Sequence, residues 1–383
     1  MKHTNRLCIY MTYNKENKIY PYIEKVLKSL KVCCSRVYLV CNCKVLKAGL
    51  NDSQSYVDNI FFRENIGYDS GAFKDALCEF LGWDEVYRYD ELVLVNDSFF
   101  GFFYPLQDIF ELMDKQECDY WGMTGQTEGE YKNPFYEFDA HIHSYFLVIK
   151  KKVLMSQAFR EFWEKLQYSE NFSQAVIDFE VGLNEQLKQK GFIGKSFIEL
   201  YGIQLKRNEN PCYSQLYKLV KDCQFPIMKK KCVLIRNVGF EETLKTIVYL
   251  EKEKRYPTEW VKQYLENQFY IPEYESSCFN SLELFYRNYS TVYIYGAGVC
   301  GKNIAAYFDY KGWNFKGFIS TEPEKEEVCS SCIEKVTIDS DTGIIVSVLN
   351  AEIAEEIAKH IGTRCSQNQL FFISACSAIK LPK

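Results

Sequence analysis

Carboxylates, imidazoles and glycine-rich turns gather in five short stretches of this 383-residue chain. "NIGYDSGAF" (Asn65–Phe73) has glycines at 67 and 71, spaced for a tight turn. The helix that should follow offers free N–H groups and the positive end of its dipole, a setting that suits a nucleotide or a diphosphate. Asp69, just before it, either hydrogen-bonds a ribose, base or sugar or caps the helix. "VNDS" (Val95–Ser98) places Asn96, Asp97 and Ser98 at the tip of an apolar strand. A carboxylate there can hold Mg²⁺ or Mn²⁺ and offset charge on a departing diphosphate, or it can simply shape a turn.

"HIHSYF" sets His141 and His143 two residues apart, on one face of a strand, as a metal pair, as substrate contacts or as packed polar residues. In "VIDFEVGLNEQLKQKG", Asp178 and Glu180 open an amphipathic helix. Acidic residues favour a first helical turn for dipole reasons, but a positioned carboxylate can also take the proton of an attacking hydroxyl. "GAGVCG" carries Gly296, Gly298 and Gly301 between a strand and a helix, in the dinucleotide fingerprint pattern. The acidic partner expected about 20 residues on has only Glu322 near its place. Both a bound nucleotide and a non-binding turn therefore stay open for this segment.

The elements that must position these groups are legible as alternating strand and helix signals. "RLCIYMTY", "RVYLVCNC", "YVDNIFF" and "ELVLV" read as strands, with helical periodicity in "KIYPYIEKVLKSLK" and "AFKDALCEFLGW". This order predicts an α/β fold with a mostly parallel, Rossmann-type sheet and flanking helices, which binds ligands at the carboxyl ends of its strands. Residues 1–236 are expected to form that domain and 237–289 a helical linker region. Residues 290–383 restart the pattern as a second, smaller Rossmann-like α/β domain.

Composition narrows the partners. A net charge of −5 argues against nucleic acid, and "MKKKCVLIR" (Met228–Arg236) reads as a solvated loop before a strand or as a contact for phosphate or an anionic membrane. Sixteen cysteines with no apolar leader in "MKHTNRLCIY" suggest reduced thiols and a cytoplasmic setting. "CNC" and "CSSC" lack a second pair at zinc spacing. No apolar run reaches the roughly 18–20 residues of a membrane span, so membrane association is expected to be peripheral, at the inner face.

Six blocks in order resemble the rhamnan synthesis protein F family, bacterial glycosyltransferase-like proteins of rhamnose-containing polysaccharides. They are "NIGYDSGAF", "YDELVLVNDSFFGFFYPLQDIFELM", "CDYWGMT", "HIHSYFLVIKKKVLMSQAFREFW", "FEVGLNEQLKQKGF" and "FPIMKKKCVL", within Leu7–Arg236. The resemblance implies a GT-A fold and transfer of a sugar such as rhamnose from a nucleoside diphosphate sugar to a glycan or lipid-linked saccharide acceptor, with inversion. It places Asn65, Gly67 and Asp69 against the nucleotide sugar, with Asn96 and Ser98 beside them. Asp97 takes the position of a metal-binding Asp-X-Asp, although "NDS" holds one carboxylate. His141, Ser144 and Tyr145 line the donor or acceptor site, and Glu180, with Asp178 as its understudy, takes that of the catalytic base. The alternative is a non-catalytic nucleotide- or sugar-binding scaffold of polysaccharide assembly.

Overall fold

The computed structural model describes residues 4–46, 54–132, 135–271, 281–321 and 330–376; Glu322 and Cys329 lie outside them. The chain forms two compact units, one up to Lys230 and one from Lys231 onward.

The first unit is built on seven strands: β1 (Arg6–Thr12), β2 (Arg36–Cys41), β3 (Asn59–Phe62), β4 (Glu91–Asn96), β6 (Tyr120–Gly122), β11 (Phe146–Lys150) and β12 (Gly194–Ser196). Their spatial order is β12-β6-β11-β4-β1-β2-β3, and only β11 runs antiparallel to its neighbours. Smaller ribbons pair β5 (Phe99–Gly101) with β13 (Ile227–Lys229), β7 (Gly125–Gln126) with β10 (His141–Ile142), and β8 (Gly129–Lys132) with β9 (Phe135–Phe138).

The sequence explains this layering. Every residue of β1 is buried, as is Glu91–Val95 of β4, which is why both read as continuous apolar runs rather than alternating ones. The helix Pro21–Cys33 starts on proline and turns Tyr22, Ile23, Val26, Leu27 and Leu30 inward at helical spacing. On one face of the sheet, Leu7, Ile9, Leu92 and Leu147 pack with Phe73, Leu77, Phe159, Trp163, Phe179 and Leu183.

The chain leaves β1 towards β2 on one side and returns to β4 on the other. The strand order thus reverses at β1 and β4, and the carboxyl ends of strands at such a reversal are where doubly wound sheets bind ligands. Antiparallel β11 starts where β4 ends, with Phe146 opposite Val95, so "HIHSY" enters the sheet at that same edge.

The second unit carries a wholly parallel sheet, β16-β15-β14-β17-β18, formed by Ser330–Cys332, Gly317–Ser320, Thr291–Tyr295, Thr342–Val346 and Leu370–Phe372. The stretch 237–289 contributes helices to this unit, burying Leu244, Ile247, Leu250, Val261, Leu265, Leu282 and Phe285. Among the described residues no helix is long and apolar enough to cross a membrane, and fourteen cysteines are free thiols.

Candidate active site

Polar side chains from several separate segments gather at the β1/β4 reversal, the crevice position of such sheets. Asp97, just past β4, is 6% exposed; its Oδ2 accepts from the Thr12 hydroxyl at 2.7 Å and from the Tyr13 N–H at 3.1 Å. Asn96 bridges outward: its backbone N–H donates to the Tyr145 carbonyl at 3.1 Å, and its Nδ2 donates to Asp69 Oδ2 at 2.7 Å.

Asp69 reaches that position because the turn before it is tightly tied. Gly67 (φ +70°) and Tyr68 (φ +57°) adopt left-handed conformations; the Ser70 hydroxyl and the Gly71 N–H both donate to the Gly67 carbonyl. Buried Arg63 holds the same turn through Ile66 O, Asn42 Oδ1 and Asp75 Oδ2, at 2.8, 2.9 and 2.6 Å. Gly67, and not Asp69, caps the helix Tyr68–Asp75. The Asp69 carboxylate is left to the crevice, its Oδ1 accepting from the Ser70 N–H at 3.0 Å.

Opposite lies Glu180, in a π-helical turn (Val176–Val181) between two α-helical stretches, a local widening often found at functional sites. Asn184 pins this turn to the sheet: its Nδ2 donates to the Glu180 and Ile142 carbonyls, and its Oδ1 accepts from the Ile142 N–H. Glu180 Oε2 accepts from the Ser144 N–H at 2.6 Å and the Ser144 hydroxyl at 2.7 Å.

These surroundings drive two neighbouring carboxylates apart. Burial raises the Asp69 pKa; the Asn96 donor opposes this and the nearby Glu180 charge adds to it. Burial also works to raise Glu180, but the imidazoles of His141 and His143 and the Lys229 ammonium overcome it and hold this carboxyl well below the usual range. Opposed shifts in adjacent acids are the pattern by which sites divide acid–base roles.

The two histidines lie ring to ring, with centroids 5.9 Å apart. His143 Nδ1 faces the Thr124 hydroxyl at 2.8 Å, which also meets the Tyr145 hydroxyl at 2.7 Å. Burial lowers the His143 pKa to about 3, so it is neutral. For His141, burial works downward but Glu180 raises the pKa on balance. Fully buried Tyr145 closes the floor beneath Lys229, whose Nζ sits 4.1 Å from its ring centroid.

Asp97 does not suit a divalent cation. It is a single carboxylate, and the buried Lys230 ammonium stands 3.8 Å from the same Oδ2 that already takes two hydrogen bonds. A metal there would face a resident cation in a poorly screened site. The expectation of a metal at Asp97 is therefore set aside in favour of a lysine counter-ion.

A model of the family described as rhamnan synthesis protein F matches residues 37–281, more than half of the chain. The chain belongs to the rhamnan synthesis protein F family. It is 24% identical over 275 residues to virulence protein VirA of Vibrio anguillarum, covering 64% of this chain and 85% of that protein. It is 24% identical over 159 residues to the uncharacterized protein y4gN of Sinorhizobium fredii, covering 41% of this chain and 39% of that protein; the chain thus spans about two-fifths of that relative's length. Among solved structures, the apo-form glycosyltransferase GlyE of Streptococcus pneumoniae TIGR4 aligns over 93% of this chain and 99% of its own, at 14% identity and a TM-score of 0.31.

In this member of the rhamnan synthesis protein F family, the remaining candidate residues fall outside the cluster or at its rim. Asn65 is exposed and accepts from Asn42 Nδ2 at 3.0 Å. Ser98 presents a buried hydroxyl that has no hydrogen-bond partner among the described residues. Asp178 bonds to Gln174 and Ser169. In the second unit, Gly296 (φ +92°) and Gly298 shape the turn before the helix Val299–Lys311, and Gly301 packs on the Gly296 carbonyl. The Ser347 hydroxyl donates to the Tyr295 and Gly296 carbonyls and braces the turn.

Lys229 and Lys230 are the residues of this cluster least visible in the sequence. The "MKKK" run read more readily as a solvated loop, yet Lys230 is 5% exposed and lies over the Tyr22 ring. The signal was present as three lysines against an apolar strand, but only the pairing of β13 with β5 brings them to the crevice.

Proposed function

We propose that the first unit is a glycosyltransferase that moves a sugar, rhamnose by the family's name, from a nucleoside diphosphate sugar to a glycan or lipid-linked saccharide acceptor, with inversion. The observation that carries this reading is the opposed pair Asp69 and Glu180 beside two lysines, at the carboxyl ends of a parallel sheet.

In a single in-line displacement, the acceptor oxygen forms a bond to the anomeric carbon as the bond to the phosphate oxygen breaks. The acceptor proton must leave during attack, and the electron pair of the broken bond departs on the diphosphate. Asp69 is the better proton acceptor, because a carboxylate with a raised pKa is the stronger base and its Oδ1 is lightly engaged. This moves the base role from Glu180, expected to hold it, to its neighbour. Glu180, tied by Ser144 and kept anionic, positions rather than accepts protons. Lys229 and Lys230 supply fixed positive charge for the leaving diphosphate, the task expected of a metal at Asp97.

The test supplies dTDP-, UDP- and GDP-sugars with saccharide acceptors to the full chain and to Asp69→Asn and Glu180→Gln. Transfer that falls by roughly 10²–10⁴-fold in Asp69→Asn, with the acidic limb of the kcat/KM profile retained in Glu180→Gln, supports the assignment. Unchanged transfer in both variants would overturn it. Tight diphosphate binding with no turnover on any donor would favour the scaffold reading.

A further inference from the structure

We propose that His141, His143 and Glu180 form a binding site for one divalent transition-metal ion. The inference rests on coordination chemistry and stands or falls apart from the transfer reading.

The starting point is an unsatisfied atom. His141 is 5% exposed, and its Nε2 is buried with no hydrogen-bond partner among the described residues. Its other ring nitrogen, Nδ1, lies 3.0 Å from the Asp139 carbonyl oxygen, which can only accept. The proton of a neutral ring therefore sits on Nδ1, and the Nε2 lone pair points into the cluster. A backbone carbonyl holding the far nitrogen is the usual orienting partner of a metal-bound histidine.

What the lone pair faces is a second electron donor. Glu180 Oε1 lies 3.6 Å from His141 Nε2, too far for a good hydrogen bond. It is close to the ~3.4 Å edge of a tetrahedron with ~2.1 Å metal–ligand bonds. The other carboxylate oxygen is fixed by the two Ser144 donors, leaving Oε1 free to ligate. His143 completes the set. Its Nδ1 is engaged by Thr124 at 2.8 Å, while Nε2 has only a long 3.4 Å contact to Gln126. One ligand atom from each of the three residues lies within 4.8 Å of the other two. Small side-chain rotations close that spread onto an ion.

Two nitrogens and one carboxylate oxygen favour borderline cations such as Zn²⁺ and Co²⁺, take Mn²⁺ more weakly, and disfavour Mg²⁺ and Ca²⁺, which prefer all-oxygen shells. His141 also lines a cleft of about 580 Å³, together with Gln126, Ile142 and Asn184, which gives the ion an entry path and room for a water or ligand oxygen. The competing arrangement is a protonated His141 bridging to Glu180, with Lys229 as a further cation near the carboxylate.

The experiment is equilibrium dialysis of the full chain against Zn²⁺, Co²⁺ and Mn²⁺ separately, with no nucleotide or sugar present, and bound metal read by mass spectrometry. The expected result is one equivalent per chain. Affinity should fall by more than about 100-fold in His141→Ala, His143→Ala and Glu180→Gln, beyond the 10–100-fold typical of outer-shell changes, and stay unchanged in Asp97→Asn. Should an alanine variant fail to fold, His141→Gln and the visible spectrum of Co²⁺ on the unaltered protein decide instead: ligand-field bands displaced by Zn²⁺ support the site. No bound equivalent and no Co²⁺ bands, or affinity in all three variants equal to that of the unaltered chain, would overturn it. Metal binding without sugar transfer would leave this site standing and remove the transfer reading; the reverse outcome would do the opposite.

Discussion

The two units solve one backbone problem in the same way and put it to different use. In each, a parallel strand runs through a glycine-bearing turn into a helix, and a glycine in the first helical turn packs on the carbonyl five residues back: Gly71 on Ile66 O and Gly301 on Gly296 O. A Cβ would lie 2.4 Å from the first oxygen and 2.0 Å from the second. The turn in the first unit is braced by Arg63 and delivers Asp69 to Asn96 and the neighbourhood of Glu180. The turn in the second unit is braced by Ser347 and carries Ala297, Val299 and Cys300, whose thiol is pushed up in pKa by burial. Among the described residues, the pattern that looks more like a cofactor fingerprint thus gathers fewer ionisable side chains than the other. Glycine spacing reports close backbone approach; function depends on which side chains other segments bring to the same edge.

The comparison can be broken most directly at Asp69. Asp69→Asn keeps the Asn96 contact in shape but removes the proton acceptor, and transfer should fall by roughly 10²–10⁴-fold. Gly301→Ala should leave transfer by the first unit within about twofold, since no residue of its turn enters the proposed chemistry. Steady-state rates with one donor and acceptor pair decide the matter, and equal losses in both variants would erase the distinction.

A second pair of variants sharpens the shared part. Gly71→Ala and Gly301→Ala both force a methyl group against a carbonyl, and each should destabilise its unit by about 1–3 kcal/mol. Denaturant unfolding followed by intrinsic fluorescence measures this. No loss in either variant would mean that the turns relax more freely than their packing indicates.

The smallest effect concerns pH. Burial depresses the His143 pKa to about 3 in the folded chain, against about 6.5 when unfolded. The unfolded state therefore binds the extra proton first as pH falls, so this group's contribution is full above pH ~6.5 and is lost progressively down to pH ~3, with a slope of at most about 1.4 kcal/mol per pH unit. His141, with its raised pKa, works in the opposite sense, stabilising at lower pH and losing that contribution as pH rises. Unfolding midpoints between pH 6.5 and 4 should fall less steeply in His143→Gln than in the unaltered protein. An identical slope would show that His143 is not held neutral.

Much of this frame was legible in the sequence. The buried strands β1 and β4 announced a parallel sheet through unbroken apolar runs, and "NIGYDSGAF" and "VNDS" stood at strand ends as expected. Other features were not legible for reasons of distance and geometry. A π-turn and an α-turn share nearly the same apolar spacing, so nothing in "VIDFEV" marked Glu180 as lying within a widened helix. Asp97 looked like a ligand because its counter-ion, Lys230, arrives through a pairing far along the chain. Ser144 is expected at the donor or acceptor site, and nothing in the sequence marks the bond its hydroxyl donates to Glu180. Acidity, too, depends on burial and neighbours, which is why the base we propose is Asp69 rather than Glu180.

The central claim is that donor binding belongs to the first unit's crevice and not to the glycine turn of the second. Isothermal titration of dTDP, UDP and GDP into the unaltered chain, Lys230→Met and Gly301→Ala tests it most directly. The account predicts that one diphosphate binds the unaltered chain and Gly301→Ala alike, and binds Lys230→Met at least about tenfold more weakly, the loss of one charge-assisted contact. Binding that survives Lys230→Met and disappears in Gly301→Ala would contradict it.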